Sequence, residues 1–151
     1  MSSPIITLTT DFGEGSPYVA QMKAVALRLN PDVQLVDITH SVAPQNVQQG
    51  AVILADVAHH FPANTIHVCV VDPGVGTDRR IVYVEIDEQR FIAPDNGLLG
   101  LVARGNLVGE LRSIESPHLR GQRVTATFHG RDIMIPAAAH LSRGASPSQF
   151  G

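Results

Sequence analysis

The run Thr65-Ile66-His67-Val68-Cys69-Val70-Val71-Asp72-Pro73-Gly74 reads as an apolar β-strand cut off by a turn signal. The chain on its amino-terminal side keeps one rhythm. Ile5 to Thr9 is a β-branched run that stops at Asp11-Phe12-Gly13. Tyr18 to Leu29 places Val19, Met22, Val25, Ala26 and Leu29 at helical spacing and stops at Asn30-Pro31. Val33 to Ile38 alternates like a strand, and Val47 to Phe61 is helical again, closing at Pro62. Strand and helix therefore alternate up to the decisive run, which predicts βαβαβ connectivity and an α/β fold. We expect a single domain with a mostly parallel central sheet and helices on both faces.

Beyond that run the pattern loosens. Ile81 to Ile86 and Arg90 to Ala93 predict a hairpin across Asp87-Glu88-Gln89. Leu98 to Ala103 predicts a short helix, Leu107 to Leu111 and Val124 to Phe128 two further strands, and Ile133 to Leu141 the last helix. Residues 144–151 read as the start of a linker, giving a domain over 1–143 and the beginning of a boundary after it.

Composition narrows the function classes. The 151 residues are 44% apolar and 17% charged, with a net charge of −3, an ordinary globular balance. The 11 basic residues are scattered, and Arg79-Arg80 is their adjacent pair, so a phosphate backbone is not the expected partner. No apolar run approaches the ~18 residues of a membrane span, so no membrane partner is expected and the cytoplasm is the default location. The lone Cys69 sits among apolar neighbours and reads as a small buried hydrophobe.

Polar residues gather where ligands bind in an open α/β sheet, at the carboxyl ends of strands. Asp11 follows the first strand, Asp37 and His40 the second, Asp72 the third, and Asp95-Asn96 the loop after Ala93-Pro94. His129 follows the predicted strand ending at Phe128, with Gly130-Arg131-Asp132 opening the next helix. Pro73-Gly74-Val75-Gly76-Thr77 lacks the lysine and spacing of a nucleotide P-loop. A metal reading has ligand types in Asp11, Asp37, His40, Asp72 and His129, but none stands at a close ligand-pair spacing. We expect no metal and no cofactor.

With these residues in place, the chain resembles the amino-terminal domain of the S-adenosylmethionine (SAM) hydrolases, also called SAM hydroxide adenosyltransferases, relatives of the SAM-dependent fluorinase and chlorinase. The resemblance rests on Thr9-Thr10-Asp11-Phe12-Gly13 with Tyr18-Val19 and Met22-Lys23, and on Val36-Asp37-Ile38-Thr39-His40. It continues through Val71-Asp72-Pro73-Gly74-Val75-Gly76-Thr77 with Arg79-Arg80, then Ala93-Pro94-Asp95-Asn96-Gly97-Leu98-Leu99 and Phe128-His129-Gly130-Arg131-Asp132. These motifs stand in the family's order.

The resemblance implies attack of water on the ribose C5′ of SAM, releasing L-methionine and adenosine, with SAM as substrate rather than cofactor. It implies a catalytic triad of Asp72, Arg79 and His129. It also implies substrate contacts from Asp11 to the ribose hydroxyls, from Ser16 to Tyr18 along the nucleoside or methionine, and from Phe12, Gln45, Asp95, Asn96 and Gly130. A homotrimer is implied, because the family binds substrate across subunits, as is a smaller carboxy-terminal β domain to which nothing in these residues corresponds. Two positions depart from the expected pattern: Gln45 stands where an aromatic residue is expected, and Ala24 where glycine is. The competing readings are a non-catalytic nucleoside-binding or assembly domain, and a metal-dependent hydrolase.

Overall fold

The computed structural model describes residues 3–119, 121 and 124–151. Strands β1 (Ile5–Thr10), β2 (Gln34–Thr39), β3 (Ile66–Val70), β4 (Ile81–Ile86), β5 (Gln89–Pro94) and β6 (Val108–Ser113) form one sheet in the order β2-β1-β3-β5-β4-β6. The β1–β2, β1–β3 and β3–β5 pairs are parallel, as the alternation predicts, and β4 runs antiparallel to both β5 and β6. The predicted hairpin is β4–β5, turning with Asp87 at φ 52°, the left-handed conformation that tight hairpins require.

Helix α1 (Pro17–Leu29) starts where Ser16 accepts the Tyr18 amide at 3.2 Å, with proline at its first turn. Helix α2 (Val47–Val57) is capped by Asn46 on the Gln49 amide at 2.9 Å, and tightens into a 3₁₀ turn at Ala58–His60. Helix α3 (Gly100–Ala103) is one short turn, and α4 (Ile135–Ser142) grows out of a π-helical turn over Gly130–Met134.

Burial explains the layers. Along β3 the side chains alternate, Val68 and Val70 packing with α1 and α4, Cys69 and Val71 with α2 and α3. All of these are buried, so helices cover both faces of the central parallel strands, as such a sheet demands. Burial also pushes the Cys69 thiol up, which leaves it an unreactive hydrophobe.

One expectation fails locally. Residues 124–128 form a loop and not a strand. The buried Asp132 carboxylate takes the Thr125 amide at 2.9 Å and its hydroxyl at 2.8 Å, and that hydroxyl takes the Phe128 amide at 3.0 Å. Local side-chain bonds thus capture the backbone that a sheet ladder needs. Residues 144–151, read as linker, fold back onto the domain. Ser146 caps a 3₁₀ turn at Pro147–Gln149, and Phe150 is fully buried with its ring 5.4 Å from Tyr83. The Phe150 carbonyl accepts the amides of Glu115 and Ser116.

Candidate active site

The carboxyl ends of β1 and β3 open on the same edge, and two loops meet there. The loop leaving β3 carries Asp72 and returns to β4 through Arg79. The loop before the π-helical turn carries His129. Gly76, at φ 81°, joins them: a Cβ built on it would lie 2.6 Å from the Ala126 carbonyl oxygen. Only a glycine allows both this conformation and this approach.

Arg79 organises the polar groups. Its Nε donates to both Asp72 oxygens at 3.0 and 3.1 Å, and its Nη2 donates to Asp72 and, at 2.8 Å, to His129 Nδ1. Both partners of the ion pair are largely buried, at 12% and 5% side-chain exposure for Arg79 and Asp72. A guanidinium can only donate, so His129 Nδ1 must be an acceptor and the ring proton sits on Nε2. Burial, and then the Arg79 cation, push the His129 pKa below its usual value. The Thr125 carbonyl and the carboxylates of Asp72 and Asp132 oppose without reversing this. The ring is neutral at pH 7, its tautomer set by Arg79.

A cavity of 160 Å³ adjoins this pair, lined by Asp11, Phe12, Tyr18, Gln45, Asp72 and His129, with Val70, Val75, Thr127 and Gly130 completing its wall. Asp11 is held by the Gln45 amide, which donates to its Oδ2 at 2.7 Å, and Gln45 adopts φ 62° to do so. Such strain in a non-glycine residue persists only where neighbours enforce it. Tyr18 stacks edge-on against Phe12 at 4.4 Å and lies 4.9 Å from Phe128, while its hydroxyl accepts the Arg131 amide at 3.0 Å. Gly130 fits between Tyr18 and Val70, where a Cβ would approach both within 3.3 Å.

The structure therefore gathers Asp11, Phe12, Tyr18, Gln45, Asp72, His129 and Gly130 around one cavity, with Arg79 behind Asp72. Ser16 is spent on capping α1. Asp95 and Asn96 stand elsewhere. Asp95 faces Arg80 at 3.7 Å in a separate groove, and Asn96 braces the end of β3 by donating to the Val71 carbonyl at 2.9 Å. Val70, Val75 and Thr127 were not singled out from sequence, since nothing in an apolar or hydroxyl side chain flags it as cavity wall. Among the described residues, no three His, Cys, Asp or Glu side chains converge as a metal site would need.

The model of the family described as SAM hydroxide adenosyltransferase, N-terminal domain, matches residues 6–151. The chain belongs to that family. The chain is 43% identical over 152 residues to the (R)-S-adenosyl-L-methionine hydrolase of Salinispora arenicola, a match covering 99% of this chain and 58% of that protein. A fluorinase of Nocardia brasiliensis is 30% identical over 164 residues, covering 93% and 55%. The crystal structure of an uncharacterized conserved protein from Thermotoga maritima superposes with a TM-score of 0.94 at 42% identity, over 97% of this chain and 57% of that one. The chain thus spans little more than half the length of these relatives.

Proposed function

We propose that this chain binds S-adenosyl-L-methionine and directs a water molecule at its ribose C5′, yielding adenosine, L-methionine and a proton. The observation that carries the reading is the Asp72–Arg79–His129 linkage bordering a cavity that Asp11 also lines. A sulfonium departs as a neutral thioether, so the leaving group needs no acid. The nucleophile needs an acceptor for its proton and a fixed line of attack, and orientation alone contributes ~7–11 kcal/mol in well-aligned systems.

The roles follow from the tautomer. His129 Nε2–H is a donor and orients the water oxygen. Asp72, an acceptor only, takes a water proton as the new C5′–O bond forms and the C5′–S bond breaks, then releases it to solvent. Arg79 locks both partners in place. Asp11 accepts hydrogen bonds from the ribose hydroxyls, and the carboxylates of Asp11 and Asp72 favour the cationic substrate. The intact Asp72-Pro73-Gly74-Val75-Gly76-Thr77-x-Arg79 stretch supports water over halide as nucleophile.

A cavity of 160 Å³ is small beside the ~300–1,000 Å³ of ligand pockets, so it suits the reacting ribose and not the whole substrate. In the homotrimer that the family resemblance implies, a neighbouring subunit covers the rest. No helix of the described residues is long and apolar enough to cross a membrane.

Incubation with SAM and chromatography of the products tests the reading. Adenosine and methionine are expected in equal amounts, and Asp72→Asn should stop their formation while adenosine binding persists. Adenosine binding without turnover in the wild-type chain favours a nucleoside-binding domain, and 5′-chloro-5′-deoxyadenosine formed in chloride shows the wrong nucleophile was chosen.

A further inference from the structure

His40 lies outside the cavity wall and is buried, with 3% of its surface exposed. Its ring bridges two hydrogen-bond partners. Nε2 stands 2.8 Å from Asp37 Oδ1, and Nδ1 stands 2.8 Å from the Thr10 hydroxyl. Asp37 is an acceptor: burial works against its ionisation, but the hydrogen bonds from Lys23 and His40 outweigh this and hold its carboxyl below the usual range. The proton on Nε2 is therefore spoken for, and in the neutral ring Nδ1 receives the Thr10 hydroxyl proton.

The same residue grips the chain through its backbone. The His40 carbonyl accepts the Gly13 amide at 2.8 Å, and its own amide donates to Glu14 Oε1 at 3.3 Å. The Thr10 hydroxyl meanwhile accepts the Phe12 amide at 3.3 Å. All of these bonds converge on residues 10–14, immediately before and after Asp11. A histidine that only filled space would need partners for its two nitrogens. This one fastens both sides of a five-residue loop whose Asp11 and Phe12 face the cavity. Among the described residues the Asp11 carboxylate takes one hydrogen bond, from the backbone amide of Gln45, so its position depends on how firmly its own backbone is held.

We propose that His40 is a positioning residue. Through Thr10, Gly13 and Glu14 it sets where Asp11 and Phe12 stand, and so governs affinity for the nucleoside without taking part in the chemical step. The inference rests on Asp11 as the ribose-binding carboxylate.

Adenosine titrated calorimetrically into the wild-type chain, Thr10→Val, His40→Leu and His40→Gln tests it, beside steady-state kinetics with SAM. Thr10→Val keeps the shape and removes the hydroxyl that links His40 to the Phe12 amide. It is expected to weaken adenosine binding about tenfold, the equivalent of one lost hydrogen bond, and to raise KM for SAM with kcat kept. His40→Leu should do the same or more. His40→Gln should stay within about threefold of wild type, because its amide oxygen and nitrogen replace the two ring nitrogens as acceptor and donor.

A purely structural role lowers the melting temperature of these variants and leaves KM and adenosine affinity alone. Thr10→Val folded, with affinity within about twofold of wild type, or with the loss falling on kcat, overturns the proposal. If His40→Leu does not fold, Thr10→Val still decides. A folded wild-type chain that does not bind adenosine overturns the reading of the site itself, and the role of His40 with it. Asp11→Asn separates the two cases: it loses affinity if the reading of the site holds, whatever Thr10→Val does.

Discussion

Lowering the pH should destabilise this domain through one histidine outside the cavity wall. His67 is fully buried in β3, between the Thr7 hydroxyl at 2.7 Å and the Gln89 side-chain oxygen at 2.8 Å, with Phe91 stacked on its ring. Burial drives its pKa from 6.5 to about 4, and the hydrogen bond to Gln89 only partly resists. The folded chain therefore refuses a proton that the unfolded chain accepts. Stability is complete above pH ~6.5 and falls as the pH drops from there towards about 4. At about 1.4 kcal/mol per pH unit, that gap amounts to about 3 kcal/mol, of which about 2 kcal/mol is lost between pH 7 and pH 5. Against a total stability of ~5–15 kcal/mol this is a large share. Urea unfolding of wild type and His67→Gln at both pH values measures it, since glutamine keeps polar partners and does not titrate. Wild type should lose about 2 kcal/mol more than the variant on acidification. Equal losses, or an NMR titration of His67 near pH 6.5, refute the reasoning.

Two further substitutions probe the joints of the fold. Gly76→Ala places a methyl 2.6 Å from the Ala126 carbonyl at a left-handed φ. It should cost ~1–2 kcal/mol in backbone strain and reduce SAM turnover about a hundredfold by shifting His129 on the order of 1 Å from Asp72; turnover within about threefold of wild type, measured chromatographically, contradicts the tight apposition of these loops. Phe150→Ala empties a fully buried site against Tyr83 and should lower stability by ~3–5 kcal/mol in urea unfolding, whereas a loss under about 1 kcal/mol shows that the 146–151 segment is not part of the core.

How far the sequence reaches is visible in particular residues. β1, β2, β3 and the β4–β5 hairpin were legible because apolar runs end at turn residues, and those ends are where Asp11 and Asp72 stand. The direction of a side chain leaving such an end was not legible. Asn96 sits after β5 as Asp72 sits after β3, yet its amide is claimed by the Val71 carbonyl. The apolar-looking 124–128 segment misled for a related reason: its strand character is local, and Asp132, which overrides it, comes later in the chain. The setting of His40 was also hidden, since its partners Thr10 and Asp37 lie on two strands. Phe150 fell within the residues read as linker because its partner, Tyr83, is distant in sequence.

Because β4 starts at the edge where β3 ends and runs antiparallel to it, Asp72 and Arg79 sit on one loop although their strands are separated by β5. Their contact closes a span of 7 residues, whereas the Arg79–His129 contact closes one of 50. Loop-closure entropy makes the longer span dearer by about 1.7 kcal/mol, from (3/2)RT times the logarithm of the ratio. The two halves of the linkage therefore have unequal tenacity. The acid–guanidinium half assembles within its own loop and persists, while the imidazole is recruited from afar and is the first to leave when the domain breathes.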